Sequence, residues 1–362
     1  MKELEKLKKI KIDDNILQDI FNLANGTYWP LTGFIKRREY QRILDEMRAD
    51  NGVLWSIPII FDIKEQVKNR IENDDEIILV DKFDQVIAKL SDIEIFPFDK
   101  KEYAEKIYLT TDISHPSVAD LKNKGDYLLG GKIDLLDSIK FRFSEHYSSP
   151  EELKRVFKDK GWEKIVAFQT RNIPHKSHEF LQKHALDQVD GLLIQPVIGR
   201  KKVGDFRDEL IISTYKYLIK EHYTGNKAIL SILPIRMHFA GPREALHHAL
   251  IRKNFGCTHM IIGRDHAGVG DFYHPLAAHD IFDRFNMDEL GMEIFKLNNV
   301  AHCHKCGKLN FVDECDHGKE QMYGLSGTKV RDMVRKKEML PNELIRPEIS
   351  KIILNHNNPF VE

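Results

Sequence analysis

The rhythm of hydrophobic and polar positions changes near residue 150. Upstream, short β-favouring runs at 57–63, 76–80, 86–90 and 107–110 are divided by turn signals at Asn51-Gly52, Asn73-Asp74-Asp75, Asp81-Lys82 and Gly130-Gly131. Two stretches with helical spacing, around 16–24 and 37–47, precede the strands. This pattern predicts a compact α+β domain with a small, mostly antiparallel sheet. Downstream the order becomes strand, loop, helix. Apolar runs at 164–168, 192–198, 228–233 and 258–262 alternate with helical patterns at 178–189, 206–222 and 242–255. Pro242 suits a first helical turn, and Gly256 suits a C-terminal stop. Such alternation calls for a parallel sheet covered by helices, a Rossmann-like α/β layer structure. Ligands of these sheets bind at the carboxyl ends of the strands, so the loops after Phe168, Ile198, Leu233 and Ile262 are the places to look. Beyond residue 300 come a cysteine cluster and a polar helix that begins near Ser326. The predicted division is 1–148, 149–300 and 301–362.

Composition narrows the class. The 362 residues carry 55 Lys+Arg and 56 Asp+Glu, a formal charge of −1. That balance argues against a protein that coats nucleic acid or an anionic membrane. No run approaches the roughly 20 apolar residues that span a bilayer. The charged start, MKELEKLKKIKIDDN, lacks the apolar centre of a signal peptide. The expectation is a soluble cytoplasmic protein.

Two loops carry the chemistry. The first reads Gln169-Thr170-Arg171-Asn172-Ile173-Pro174-His175-Lys176-Ser177-His178, with an H-x-x-H at a helix start. Imidazoles three residues apart on an opening turn face one side, where unpaired N–H groups add positive potential. Together they can hold a phosphoanhydride and stabilise charge on a pentavalent phosphorus. The second reads Gly263-Arg264-Asp265-His266-Ala267-Gly268. Its glycines allow close backbone approach to a ligand, and Arg264 offers a fork for phosphate. Arg200, Lys201 and Lys202 could line the nucleotide route or form a solvated charge run. His247 and His248 sit among apolar residues and read as helix packing, as does Cys257. Capping accounts for Ser326 or Thr328.

Four cysteines are too few for a disulfide scaffold, and three of them lie within thirteen residues. The spacing Cys303-x-x-Cys306, then Cys315-x-His317, supplies three thiolates and an imidazole for a closed tetrahedral Zn²⁺ site. Four protein ligands leave no position for a substrate water, so the ion would be structural. His302 and His304 compete with His317 for the fourth place.

The motifs QTRN with HKSHE, QPVIGRKKVGD, AGPREALHHALIRKNFGCTH, GRDHAGVGDFY, LSGTKVRDM and RPEI resemble those of the ATP sulfurylase family. So do NGTYWPLTGF, DNGVLWSIPI and HPSVADLKNKGDYLLGGKI in the first domain, and the likeness spans nearly the whole chain. Three departures stand out: Ile173-Pro174 shifts a proline by one position, His238 stands where an arginine is common, and Asn25–Pro30 replaces an NGAFSP-like segment.

The resemblance implies a PUA-like N-terminal domain, a Rossmann-like nucleotidyltransferase domain and a small zinc-containing helical lobe. It also implies the reaction ATP + sulfate ⇌ adenosine 5′-phosphosulfate + pyrophosphate, with Mg²⁺ accompanying ATP, and a homo-oligomer. By motif match, Gln169, Arg171 and the backbone at Ala267 bind sulfate. Thr170, Arg171 and Asn172 form the catalytic segment, while His175 and His178 stabilise the transition state. Arg171, Asn172, Ile173, Pro174, Gly263, Arg264, Asp265, His266 and Val300 contact ATP.

No serine or cysteine is paired with a base in the sequence pattern, so direct in-line attack on the α-phosphorus is expected. No G-x-x-x-x-G-K-[ST] is present, so no APS kinase domain is expected. The competing readings are another H-x-x-H nucleotidylyltransferase with a different anionic acceptor, and a PUA-like RNA-binding protein. The near-zero net charge speaks against the latter.

Overall fold

The computed structural model describes residues 6–199, 201, 203–324 and 327–362. Arg200, Lys202 and Ser326 lie outside the described residues, as does the side chain of Thr328.

The first 140 or so residues build a six-stranded sheet in the order Lys9–Lys11, Glu76–Val80, Val86–Pro97, Tyr127–Leu135 and Gly33–Phe34, with Asp62–Ile63 also paired to Tyr127–Leu135. Only Lys9–Lys11 and Glu76–Val80 run parallel; the other pairs are antiparallel, as the short alternating runs predict. Three local expectations fail. Residues 107–110 are not a strand, because Asp99 caps Lys100–Tyr103 at the amides of Lys101 and Glu102, and the helix continues as a π-turn through Ala104–Tyr108. In the 57–63 run only Asp62–Ile63 joins a ladder; the rest is extended, buried chain. Gly130-Gly131 is the middle of a strand rather than a turn. A Cβ at Gly130 would meet the Ile35 carbonyl oxygen at 2.5 Å, and one at Gly131 would meet that of Ser91 at 2.7 Å, so the glycines let neighbouring backbones approach.

The second sheet is wholly parallel: Leu233–Pro234, Gly191–Ile198, Ile165–Thr170, His259–Gly263 and Glu293–Leu297, with Ala228–Leu230 also paired to Gly191–Ile198. Its helices are Lys176–Leu186, Asp208–His222 and Pro242–Asn254. The chain lays its first strand, builds outward on one side, then returns to place His259–Gly263 on the other. The switch point of the sheet therefore lies between Ile165–Thr170 and His259–Gly263, where the following loops diverge and leave a crevice. The edge strand Glu293–Leu297, half-exposed and only five residues long, escapes a reading by hydrophobic runs.

Alternate residues feed two cores. Ile165, Ala167, Leu193, Met260 and Ile262 join the large core that continues into the N-terminal sheet. Val166, Phe168, Leu192, Ile194 and Ile261 face the other way, onto Leu210, Tyr215, Val330 and Ile349. Helix Pro242–Asn254 is sandwiched between the first domain and the sheet and is buried nearly all round, so its apolar stripe is hidden by polar residues with buried partners.

Beyond the parallel sheet, Lys308–Phe311, Val300–Cys303 and Met322–Tyr323 form a small antiparallel sheet, followed by helices Gly327–Arg335 and Pro347–Leu354. The lobe expected to be helical is thus partly β. Among the described residues no helix is long and apolar enough to cross a membrane.

Candidate active site and metal cluster

At the end of strand Ile165–Thr170 the chain turns sharply. The Thr170 hydroxyl accepts the Asn172 amide at 3.1 Å and donates to the Asn172 carbonyl at 3.2 Å. Ile173 is fully buried and Pro174 is buried too, so this pair anchors the turn in the core. His175 sits at the N-cap position of helix Lys176–Leu186 without a capping bond, which leaves its ring to stack on His178 at 4.1 Å. Both rings line a cavity of about 490 Å³ together with Gln169, Ser177, Gly263, Arg264, His266 and Val300. Burial lowers the His175 pKa to about 4. Burial and the neighbouring His175 hold His178 well below the usual range. Gln169 Oε1 is buried with no hydrogen-bond partner, while its amide nitrogen lies 3.9 Å from Met237 Sδ.

Arg171 faces elsewhere. Its guanidinium stacks over Phe239 at 4.9 Å and lines a second cavity, about 730 Å³, between the first domain and the parallel sheet. Met237 lines this cavity and touches Gln169, so the Gln169–Met237 contact is the wall between the two spaces. Among the described residues Arg171 makes no ion pair with a carboxylate. Lys124, Lys201 and Arg236, in the same cavity, are held by Asp62, Asp208 and Asp19. Lys201, half-buried in its ion pair with Asp208, is therefore not part of a solvated charge run, and it lines the larger cavity.

The second loop needs two left-handed residues, Asp265 and Ala267, each with φ 58°. The Asp265 amide donates to Pro275 at 2.9 Å, and the Ala267 carbonyl accepts from Gly241 at 3.2 Å. Gly263, Arg264 and His266 reach the smaller cavity; Asp265 and Ala267 do not line it. Burial lowers His266 to about 3. His247, His248 and Cys257 are buried, as expected of packing residues, but His248 also touches His266.

Sequence reasoning missed the clamp on the histidine helix. The Leu344 carbonyl accepts the Lys176 amide at 2.7 Å, and Arg346 forks onto Glu179 at 2.6 and 2.7 Å, with Lys183 on the same carboxylate. The RPEI motif holds Arg346, but nothing in its spacing names Glu179 as partner. Arg346→Ala leaves the buried Glu179 with Lys183 alone. The expected loss is about 2 kcal/mol by urea unfolding, with Arg346→Lys recovering only part because it lacks the fork.

In the small sheet, Cys303 and Cys306 at the turn between Val300–Cys303 and Lys308–Phe311 meet Cys315 and His317 from the segment that follows Phe311, with all four candidate ligand atoms within 4.8 Å of one another. His317 Nδ1 lies 3.5, 3.3 and 3.8 Å from the three sulfurs, and Cys306 Sγ is 3.7 Å from Cys315 Sγ. The Cys306 amide points at Cys303 Sγ at 3.4 Å, as suits a thiolate. His304 instead stacks on Tyr323, so the geometry selects His317 for the fourth place.

A parallel sheet whose switch point carries an H-x-x-H turn and a glycine-arginine turn defines an α/β enzyme of the nucleotidyltransferase class. Comparison with known proteins narrows this. The ATP-sulfurylase family matches residues 144–356, and a PUA-like domain matches residues 1–138. The chain is 44% identical over 361 residues to a sulfate adenylyltransferase of Staphylothermus marinus, covering 100% of this chain and 94% of that one. It is 42% identical over 362 residues to one of Pyrococcus abyssi, with the same coverage. A solved structure titled hexameric APS kinase from Thiobacillus denitrificans aligns over 99% of this chain and 64% of its own, with a TM-score of 0.75 at 20% identity; that likeness shows the fold alone. The chain belongs to the ATP-sulfurylase family.

Proposed function

We propose that the chain is a sulfate adenylyltransferase, joining sulfate to the α-phosphorus of ATP by in-line attack and releasing pyrophosphate. The observation that carries this reading is the meeting of both loops at one cavity beside the sheet's switch point. ATP would lie in the cavity of about 490 Å³, its phosphates against the His175 turn and Arg264. Sulfate would lie where the two cavities meet, within reach of Gln169, whose buried amide lacks a partner on one side, and of Arg171 turned off Phe239. The Ala267 amide would complete that site. Sulfate is a dianion at neutral pH, so no base is needed. The barrier is repulsion between anions, and the two arginines offset it.

No carboxylate lines the nucleotide cavity among the described residues, which suits Mg²⁺ arriving on the triphosphate as part of the substrate, with phosphate and water ligands. In the metal cluster, Zn–S bonds of about 2.3 Å and a Zn–N bond of about 2.0–2.1 Å give tetrahedral edges of about 3.8 Å between sulfurs and about 3.6 Å from sulfur to nitrogen. The 3.7 Å between Cys306 and Cys315 and the 3.3–3.8 Å from His317 Nδ1 to the sulfurs lie near these values, so Zn²⁺ in a structural role is the ion proposed. The reading carries the division 1–148, 149–300 and 301–362, a cytoplasmic location and a homo-oligomer.

Steady-state pyrophosphate release tests the function. Release should depend on sulfate, and adenosine 5′-phosphosulfate with pyrophosphate should yield ATP. Release that ignores sulfate but responds to another anionic acceptor would favour the broader nucleotidylyltransferase reading. Because burial lowers His175 and His178, both are neutral in the free protein and donate N–H bonds without charge. With Mg²⁺ saturating, kcat/KM for ATP should therefore show no histidine limb between about pH 6 and 8, a protonation step appearing only on further acidification. A limb centred on the ordinary histidine pKa, and lost in His178→Ala, would contradict this.

A further inference from the structure

A file of buried polar side chains runs inward from the second loop. His266 lines the smaller cavity, and its Nε2 lies 3.0 Å from Nδ1 of His248. On the far side of that ring, His248 Nε2 faces Glu244 Oε1 at 3.4 Å, and both residues are 0% exposed. Glu244 is itself fixed by the backbone amides of His238 at 2.7 Å and Ala240 at 3.0 Å. Two ring nitrogens 3.0 Å apart need one donor and one acceptor. His248 Nε2 makes no hydrogen bond, but the carboxylate oxygen 3.4 Å away attracts the proton to it electrostatically, which leaves His248 Nδ1 as the acceptor. His266 must then donate from Nε2, and its Nδ1 keeps a lone pair.

We propose that His248, backed by Glu244, is a positioning residue that locks His266 in the tautomer with Nδ1 free to accept a hydrogen bond from an N–H or O–H group of the nucleotide. The amino group of the base and the ribose hydroxyls are the donors ATP offers. This rests on the reading that the smaller cavity takes ATP. Packing accounts for His247, which lies against Tyr28, Trp55 and His238, but does not call for His248 to meet a loop ring. Burial raises Glu244 to about 7, so the carboxylate direction is best read at about pH 8.

The test uses the full chain. His248→Leu should raise the KM for ATP about tenfold, the scale of one hydrogen bond to a ligand, and leave the KM for sulfate within about twofold. His248→Asn keeps an oxygen near the Nδ1 position and should stay within about threefold of the parent. Because His248 acts through His266, the double variant His248→Leu, His266→Leu should be no worse than His266→Leu alone. Additive losses, equal rises in both KM values, or no change in His248→Leu would overturn the proposal. Nitrogen-15 spectra of histidine-labelled parent protein, with His266 assigned by its own substitution, read the tautomer even where a variant fails to fold. A proton on Nε2 supports the proposal and a proton on Nδ1 refutes it. Calorimetry with Mg–ATP separates this from the functional reading. Parent protein that binds ATP without sulfate-dependent release overturns the reaction assigned above, whereas parent protein that binds no ATP overturns the site on which the proposal stands.

Discussion

Replacing Arg171 with alanine should cut sulfate-dependent pyrophosphate release by about a thousandfold, the upper range for removing one preorganised donor to developing charge. The fold should survive the change. Arg171 lies on a turn held by the Thr170 hydroxyl and by buried Ile173, and its guanidinium touches Phe239 without a carboxylate partner among the described residues. Losing that stack costs about 0.5–1 kcal/mol, too little to unfold the domain. The deficit should fall on catalysis and on sulfate more than on ATP binding, because Arg264 and the His175 turn remain. Arg171→Lys restores charge without the planar fork and should recover only a minor part of the rate. Near-parental release from the alanine variant, in protein with an unchanged melting profile, would remove Arg171 from the mechanism.

Removing the proposed zinc should be the second large effect, although four protein ligands leave no place for a substrate. Cys303 ends strand Val300–Cys303, and the same strand supplies Val300 and Ala301 to the smaller cavity proposed for ATP. Asn298, Asn299 and Val312 flank it on that wall. With the ion gone, three thiolates and an imidazole repel or compete for protons, and the short sheet has little apolar burial to hold it: Cys306 is exposed and Cys315 only partly buried. We expect one zinc per chain by metal analysis. Prolonged chelation, or Cys306→Ala, should raise the KM for ATP by about tenfold or more while the parallel sheet keeps its far-ultraviolet circular dichroism. Metal-free protein with full activity would separate the cluster from the site.

Much of the fold is legible in the sequence because the central strands are buried on both faces. Gly191–Ile198 is buried at every position, so it reads as an apolar run broken only by Gln195. The errors arise where one local pattern serves two structures. Ile107 and Tyr108 look strand-like, but Asp99 caps the preceding residues into a helix that carries them along. Gly130 and Gly131 look like a turn because glycine tolerates turns; here they admit the backbones of Ile35 and Ser91.

The site is half legible for a similar reason. His175 and His178 share a cavity because helical geometry fixes neighbours three apart. Arg171 belongs to the same motif yet faces the other cavity, since a turn with Ile173 buried rotates it away. His302, His304 and His317 are equivalent by spacing, and only the fold selects one. The Glu179–Arg346 fork joins residues 167 positions apart, a distance at which no periodicity speaks.

The clamp at Leu344 and Arg346 has a consequence for the order in which activity arises during synthesis. The helix bearing the two histidines is translated early, but the carbonyl and guanidinium that seat it emerge more than 160 residues later. A nascent chain can therefore stack its parallel strands while still tethered to the ribosome. A finished reaction chamber has to wait until residue 346 clears the exit tunnel.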